Sequence, residues 1–244
     1  MKKRGKLEKK RNKEKGRIYS NFVFSLKYIK DIKNYIIFSV ISFFIISLFG
    51  FLFPIFFRNE IITYLQKLMQ ETIGLNVFEL ISFIISNNIQ SAFMGMILGV
   101  FLGVGPLLIM IVNAYVLGFV ANGVVGSVGA IVLWRLFPHG IFEIPAILIS
   151  ISLGLKIGIS LIYNCLTFYN KKKSNIYLYS TIFFSIVLFF IAFPIIMVLT
   201  LLNKKIRTKF YKNIRDSFIA FIFLIVPLLV VAGIIEGLLI YLIG

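Results

Sequence analysis

Charged residues are scarce in this sequence, at 14% of its 244 positions, whereas hydrophobic residues make up 59%. Soluble domains carry about a quarter charged residues, so this composition cannot build a water-facing surface. Cysteine and histidine are scarcer still, since Cys165 and His139 are the single residues of their types. One cysteine excludes an intrachain disulfide, and no Cys/His cluster indicates a structural metal. The composition therefore predicts an integral membrane protein, with no metal and no cofactor expected.

Acidic residues are also few, with 9 against 26 Lys and Arg, and the basic excess is uneven. Residues 1–34 form a polybasic arm before the first apolar run, and the remaining chain, 35–244, is the predicted membrane domain. Residues 1–17 are highly charged without apolar periodicity, so we expect them to be disordered in water. Because the arm directly precedes a membrane span, anionic lipid head groups are favoured over nucleic acid as its partner.

The apolar runs predict an all-α fold, a polytopic transmembrane helical bundle of about six membrane segments. At about 1.5 Å per residue, each run can cover roughly the 30 Å of a bilayer core. The amphipathic stretch 58–80 is predicted to lie in the membrane interface. The long uncharged run after Asn88 is divided in two, with Pro106, Asn113 and Asn122 as the candidate breaks. The predicted segments are about 35–57, 89–111, 114–134, 141–163, 176–202 and 217–243.

Basic residues predict the orientation. The positive-inside rule places the N-terminus in the cytoplasm of a multi-pass protein of the cell membrane. Six complete crossings would then put the basic loop Lys204–Arg215 outside, so one apolar segment is expected to be re-entrant. The candidates are 115–134, which several glycines weaken as a helix, and 176–202, which is bent at Pro194. The basic pattern leaves both open.

Small residues recur every four positions in two predicted spans, and this spacing lets transmembrane helices approach closely. We expect the two stripes to face each other, with helix packing and no chemistry as their role. A similar pair occurs in the last span. The stripes are Gly95, Gly99 and Gly103; Ser150, Gly154 and Gly158; and the last pair, Gly233 and Gly237.

Two glutamates interrupt apolar runs, Glu143 and Glu236. Each costs roughly 2.5–3.5 kcal/mol at mid-bilayer on the insertion scale, so such residues face an interior or a cavity. We expect both to lie inside the protein, near one another or near Arg135 and His139. They can meet only if the last span starts on the side opposite Pro138.

His139 stands four residues before Glu143, on the same face of a helix whose first turn suits Pro138. The pair could share a proton or hold a metal. A structural role is favoured, in which His139 hydrogen-bonds Glu143 while Arg135 forms an ion pair with it. Two ligands make a poor zinc site, and no catalytic triad or phosphate loop is present.

The string PHGIFEIPAILISISLGLKIG at 138–158 resembles the signature of the stage II sporulation protein M family, also known as DUF95. The similar positions extend over about 35–165 and 215–240. Pro-His-Gly-x-x-Glu-x-Pro-Ala is the specific part, and the glycine matches are weak. The family-motif and buried polar residues are Pro138, His139, Gly140, Glu143, Pro145, Asn113 and Glu236.

The resemblance implies a polytopic membrane scaffold rather than an enzyme. In endospore formers such a protein works with a pair of peptidoglycan hydrolases during engulfment. The polybasic arm and segment 176–202 depart from the family pattern. A five-span family topology would place both basic loops, 171–173 and 204–215, inside, which favours 176–202 as the re-entrant segment.

Two classes of function compete. The first is a non-catalytic scaffold or assembly protein that holds other membrane or envelope proteins. The second is a small transporter or channel with Glu143, His139 and Glu236 along a polar path. An intramembrane hydrolase is disfavoured because no nucleophile is evident. A water-filled cavity reaching the glutamates would favour transport, and dry packing around them would favour a scaffold.

Deleting residues 1–17 should leave the membrane domain folded but weaken binding to anionic liposomes, because the arm carries most of the basic excess. In flotation assays at rising salt, the intact chain should lose the part of its affinity for anionic liposomes that residues 1–17 contribute, since ionic strength screens exposed charges. Salt-independent binding that survives the deletion would contradict the assignment.

Overall fold

The structure is a computed structural model that describes residues 2–129, 137–169 and 189–243. All regular secondary structure in these ranges is helical, which confirms the predicted all-α fold. A 3₁₀ turn at Leu98–Val100 and a π-helical turn at Phe221–Ile225 accompany the α-helices. These helices are α1 (Lys2–Asp31), α2 (Lys33–Leu52), α3 (Arg58–Thr72), α4 (Val77–Ile97), α5 (Val104–Val128), α6 (Phe137–Tyr169), α7 (Phe189–Leu202), α8 (Lys204–Ala220) and α9 (Val226–Ile243).

Helix α1 contradicts the expected disorder of residues 1–17, because it begins at Lys2 and continues to Asp31. Lys, Arg, Glu and Leu are good helix formers, and the segment contains no proline. The high charge of residues 1–17 predicted disorder. Their helix propensity and the continuation of the helix beyond residue 17 favour a helix instead. Only Ile32 separates α1 from α2.

Five helical stretches among the described residues are long and apolar enough to cross a membrane. The predicted sixth segment, 176–202, is represented by α7 alone, since 176–188 lie outside the described residues. With 14 residues, α7 covers roughly 21 Å, less than the roughly 30 Å of a hydrocarbon core. The five stretches are Lys33–Leu52, Val77–Val100, Val104–Ser127, Gly140–Leu166 and Lys204–Leu242.

The predicted start of the second segment, residue 89, is wrong because α4 begins at Val77. The Asn76 side chain accepts hydrogen bonds from the backbone N–H groups of Phe78 and Glu79, and the Glu79 carboxylate accepts one from the N–H of Asn76. This capping box fixes the helix start. It also shortens the predicted interfacial helix 58–80, whose structural counterpart α3 ends at Thr72.

The predicted division between 89–111 and 114–134 is wrong as well, because the chain turns at Phe101–Gly103. Leu102 and Gly103 have φ angles of 54° and 84°, a left-handed conformation that glycine adopts at little cost. Pro106 lies in the first turn of α5, where a missing N–H is tolerated. Since α5 then runs unbroken to Val128, the described part of 115–134 continues the candidate span Val104–Ser127 and is not re-entrant.

Helix α6 is the centre of the bundle. Of its most apolar window, 78% is buried, against 17–33% for the other four stretches. It packs against α2, α4, α5, α7, α8 and α9. The surrounding helices expose apolar side chains outward, as α2 does with Phe38, Ile41 and Ile45. Such outer faces suit contact with lipid.

Contacts between helices fix their directions. Helices α4 and α6 run parallel, and α9 runs antiparallel to α4. The contacts that show this are Ser150 with Ala92, Gly158 with Gly99, Gly233 with Ile85, and Gly237 with Ile81. At one end of the bundle, Ser160 of α6 accepts a hydrogen bond from Asn213 of α8, and Lys156 lies over the ring of Tyr35 at the start of α2.

We call this end, where α2, α5 and α8 begin, the basic end, because it holds the cationic stretch Lys204–Arg215. The other end, with α3 and the starts of α4 and α6, is the opposite end. The chain passes between the two ends five times, in α2, α4, α5, α6 and the continuous α8–α9 stretch. Because α6 ends and α8 begins at the basic end, the connection that contains 176–202 starts and finishes on one side.

Substituted-cysteine labelling tests this topology. In membrane vesicles, Lys205→Cys should react with an impermeant maleimide from one side, and Gln66→Cys or Gln70→Cys on α3 from the other. The native Cys165 is buried, so the unsubstituted chain is the control. Labelling of Lys205→Cys and Gln66→Cys from the same side would contradict five crossings.

Candidate functional site

The two stripes of small residues lie against each other. A Cβ atom added to Gly99 would collide with the backbone of Gly154, and one added to Gly154 would collide with the carbonyl oxygen of Gly95. The Ser150 hydroxyl donates a hydrogen bond to the carbonyl of Ala92. Helices α4 and α6 are therefore in direct backbone contact.

Gly103 does not continue the helical face of Gly95 and Gly99, because it lies in the turn after α4. Its backbone nitrogen nevertheless lies where a Cβ of Gly158 would be. The turn is thus seated on α6. Gly103 therefore does not have the helical conformation that its spacing suggests, but it contacts the same neighbouring helix, α6.

Helix α9 packs on α4 through its own pair of small residues. A Cβ on Gly233 would meet Ile85, and one on Gly237 would meet Ile81. Since α9 also contacts α6, three spans form one closely packed unit around α4.

Glu143 and Glu236 lie near the same end of this unit. Ser150 is level with Ala92, so Glu143, seven residues earlier on a parallel helix, is level with Ile85. Gly233 contacts Ile85, and Glu236 follows by three residues toward the opposite end, about 5 Å further in depth. Both glutamates are half-buried. The condition for their proximity, that the last span starts away from Pro138, is met.

The other motif residues have simpler settings. Asn113 donates a hydrogen bond to the carbonyl of Ile109 in its own helix, at 2.8 Å. Pro138 and His139 lie in the first turns of α6, where proline is tolerated. Gly140 is half-buried and Pro145 is exposed within α6. The predicted Arg135–Glu143 ion pair stays a prediction, because Arg135 lies outside the described residues.

Asn88 of α4 was not predicted as a buried polar residue, although it is only 8% exposed. Its side-chain nitrogen has no hydrogen-bond partner among the described residues. Over those same residues, no three His, Cys, Asp or Glu side chains converge as metal ligands would.

A cavity of about 690 Å³ opens at the basic end, between α1, α6 and α8. Two carboxylates, Asp31 and Asp216, are among its lining residues. Five cationic side chains also line it, namely Lys27, Lys156, Lys209, Lys212 and Arg215.

Polar contacts join the walls of this cavity. The side chain of Asn213 donates to the hydroxyl of Ser160 at 2.7 Å, and the ammonium of Lys209 donates to the side-chain oxygen of Asn164 at 3.3 Å. Arg215 forms an ion pair of 2.8 Å with the buried Asp216. The two hydrogen bonds tie α6 to α8, whereas the ion pair lies within α8.

Helix α1 closes the cavity through Tyr28, whose hydroxyl lies 3.3 Å from that of Ser217. Burial raises the pKa of Tyr28 above its ordinary value, so the phenol is neutral at physiological pH and can donate in this bond. The cavity was not predicted from the sequence because its cations come from three separate helices, with Lys27 more than a hundred residues before the others. A prediction that the N-terminal arm is helical rather than disordered could have indicated this cavity.

Five apolar spans with lipid-compatible outer faces and a buried central helix define a multi-pass integral membrane protein. The chain matches the model of the family Stage II sporulation protein M over residues 39–239, and it belongs to that family. This confirms the resemblance seen at 138–158. The comparisons with curated proteins and with solved structures give no match. Helix α1 lies before the matched region.

Replacing Gly154 by Leu should destabilise the detergent-solubilised protein, because the side chain would press on the backbone of α4. Overpacking costs about 1–3 kcal/mol, and thermal unfolding followed by circular dichroism would report it.

The matched control is Gly123→Leu in α5, where an added Cβ meets nothing within 4 Å. It should leave stability unchanged or raise it slightly, since leucine is the better helix former. Equal melting temperatures for Gly154→Leu and the wild type would contradict the packing argument.

Proposed function

We propose that the protein is a non-catalytic membrane scaffold that holds other membrane or envelope proteins in place. The observation that carries the proposal is the direct backbone contact of α6 with α4 at Gly99 and Gly154. Among the described residues, α6 is the most buried span and has no room for an added Cβ atom at Gly154, where it meets α4. Membership of the stage II sporulation protein M family agrees with such a role.

Transport is the alternative, with Glu143, His139 and Glu236 along a polar path. Water would have to reach both glutamates from the two membrane surfaces. The cavity described above is at the basic end, whereas the glutamates lie toward the opposite end, with the contacts of Gly154 between the two levels. This placement favours packing as the role of the glutamates.

The basic end faces the cytoplasm of the cell membrane in this proposal. The N-terminal arm and the stretch Lys204–Arg215 both belong to that end, and the positive-inside rule favours such residues in the cytoplasm. Helix α3 then lies on the external surface. Met69 on α3 is 65% exposed and Phe78 in the first turn of α4 is 82% exposed, which provides a surface for envelope partners.

Site-specific photo-crosslinking in native membranes tests the scaffold. A photoreactive amino acid in place of Phe78 or Met69 should give discrete adducts with a small set of membrane or envelope proteins, identifiable by mass spectrometry. The control is Phe38 on the outer face of α2, which is 50% exposed and should crosslink to lipid. Identical protein adducts at Phe38 and Phe78 would contradict a specific external surface.

Proteoliposomes separate the scaffold from the transporter. The scaffold should give no proton or ion flux above that of empty vesicles. A flux that Glu143→Gln or Glu236→Gln abolishes, while Glu79→Gln at the α4 cap leaves it unchanged, would overturn the proposal in favour of transport.

A further inference from the structure

We propose that the cavity at the basic end is a binding site for a phosphate group. The cavity lies between three helices and is open on one side, and five cations line it against two carboxylates. A phosphate on a lipid head group and a soluble phosphate share the chemistry that these residues recognise. The site is separate from the scaffold role, which concerns the helix packing and the opposite end.

Charge pairing leaves most of the cations available. Arg215 is the one cation of the cavity with a carboxylate at ion-pair distance among the described residues, since it binds Asp216 at 2.8 Å. Asp31 is then the single remaining carboxylate for four lysines, Lys27, Lys156, Lys209 and Lys212. Four lysines from three helices exceed this one carboxylate in charge, so a net repulsion among them remains. A bound phosphate anion would relieve that repulsion.

The lysines reach the cavity from different depths. Lys156 belongs to a membrane-spanning helix, and its ammonium lies 5.6 Å from the ring centroid of Tyr35, near the start of α2. Lys209 and Lys212 come from the exposed face of α8. The cavity therefore extends from the edge of the apolar region toward the water phase, across the interfacial depth at which the phosphate groups of lipids lie.

Its size exceeds that of a lone anion. A volume of about 690 Å³ falls within the range of about 300–1,000 Å³ that is typical of small-molecule pockets. Phe24 of α1 adds apolar surface to the lining. The cavity therefore has room for a phosphate attached to a larger group, with an apolar part against α1.

Helix α1 completes the site and precedes the family match at residue 39. It is held to the α8–π-helical stretch by the contact of Tyr28 with Ser217 and by the hydroxyl of Ser25, which donates to the carbonyl of Ile219 at 3.4 Å. A ligand that contacts Lys27 together with Lys156 and Lys212 would strengthen this attachment. Binding should therefore stabilise the protein.

The test uses the full chain purified in a neutral detergent, with thermal unfolding as the readout. Inorganic phosphate and pyrophosphate are one set of probes, with chloride at equal ionic strength as the reference. Nanodiscs of phosphatidylglycerol against phosphatidylcholine are the other set. We expect a rise of the melting temperature with at least one probe, because a ligand of the folded state stabilises it.

Lys212→Gln should lower the affinity for the stabilising probe about tenfold, as loss of one charge-assisted hydrogen bond does. Lys209→Gln is a second variant, in case the first fails to fold. Lys205→Gln is the matched control, because Lys205 lies on the same helix and is exposed but does not line the cavity. It should bind as the wild type does.

Stabilisation by phosphate or pyrophosphate assigns a soluble ligand, and stabilisation by phosphatidylglycerol alone assigns a lipid head group. Either result, with loss in Lys212→Gln or Lys209→Gln and retention in Lys205→Gln, supports the site. Two results overturn it, namely no stabilisation by any probe and an equal loss in the Lys205→Gln control.

Discussion

The bundle depends on one contact, the backbone-to-backbone packing of α4 on α6 at Gly99 and Gly154. Lipid tails are as apolar as leucine side chains, so burial alone gives membrane helices little reason to associate, and close dispersion contacts must do so instead. Once these two helices touch, the rest of the packing follows. The turn at Gly103 packs against Gly158 of α6, and α9 packs against α4 through Gly233. The central position of α6 is a consequence of this arrangement.

Local periodicity predicted this core well. Helical spacing determines which residues share a face, and a face of small residues has few uses other than close packing. The helix boundaries could not be predicted as well, since hydropathy is uninterrupted between 89 and 134. Asn113 looked like a break, but its side chain bonds to the carbonyl of Ile109 within the helix. The capping pair Asn76 and Glu79 was a readable signal that the charge pattern of 58–80 concealed.

The cavity shows the limit of sequence reasoning more clearly. Each of its cations has a plain local explanation, such as a basic loop at Lys212 or a lysine that reaches toward head groups at Lys156. Their convergence is a property of the tertiary structure, because it requires α1 to fold back onto α8. The contact of Tyr28 with Ser217 joins residues 189 positions apart. No periodicity within either segment encodes that pairing.

Charge and topology also constrain each other over the whole molecule. Six crossings would have separated the N-terminal arm from Lys204–Arg215, whereas five crossings bring both to one end and satisfy the positive-inside rule. The same five crossings reverse α9 relative to α6, which carries Glu236 to the level of Glu143. A carboxylate costs less near the end of a span than at the bilayer centre. Cations at one end and half-buried glutamates near the other therefore follow from a single feature, the connection after α6 that returns to its own side.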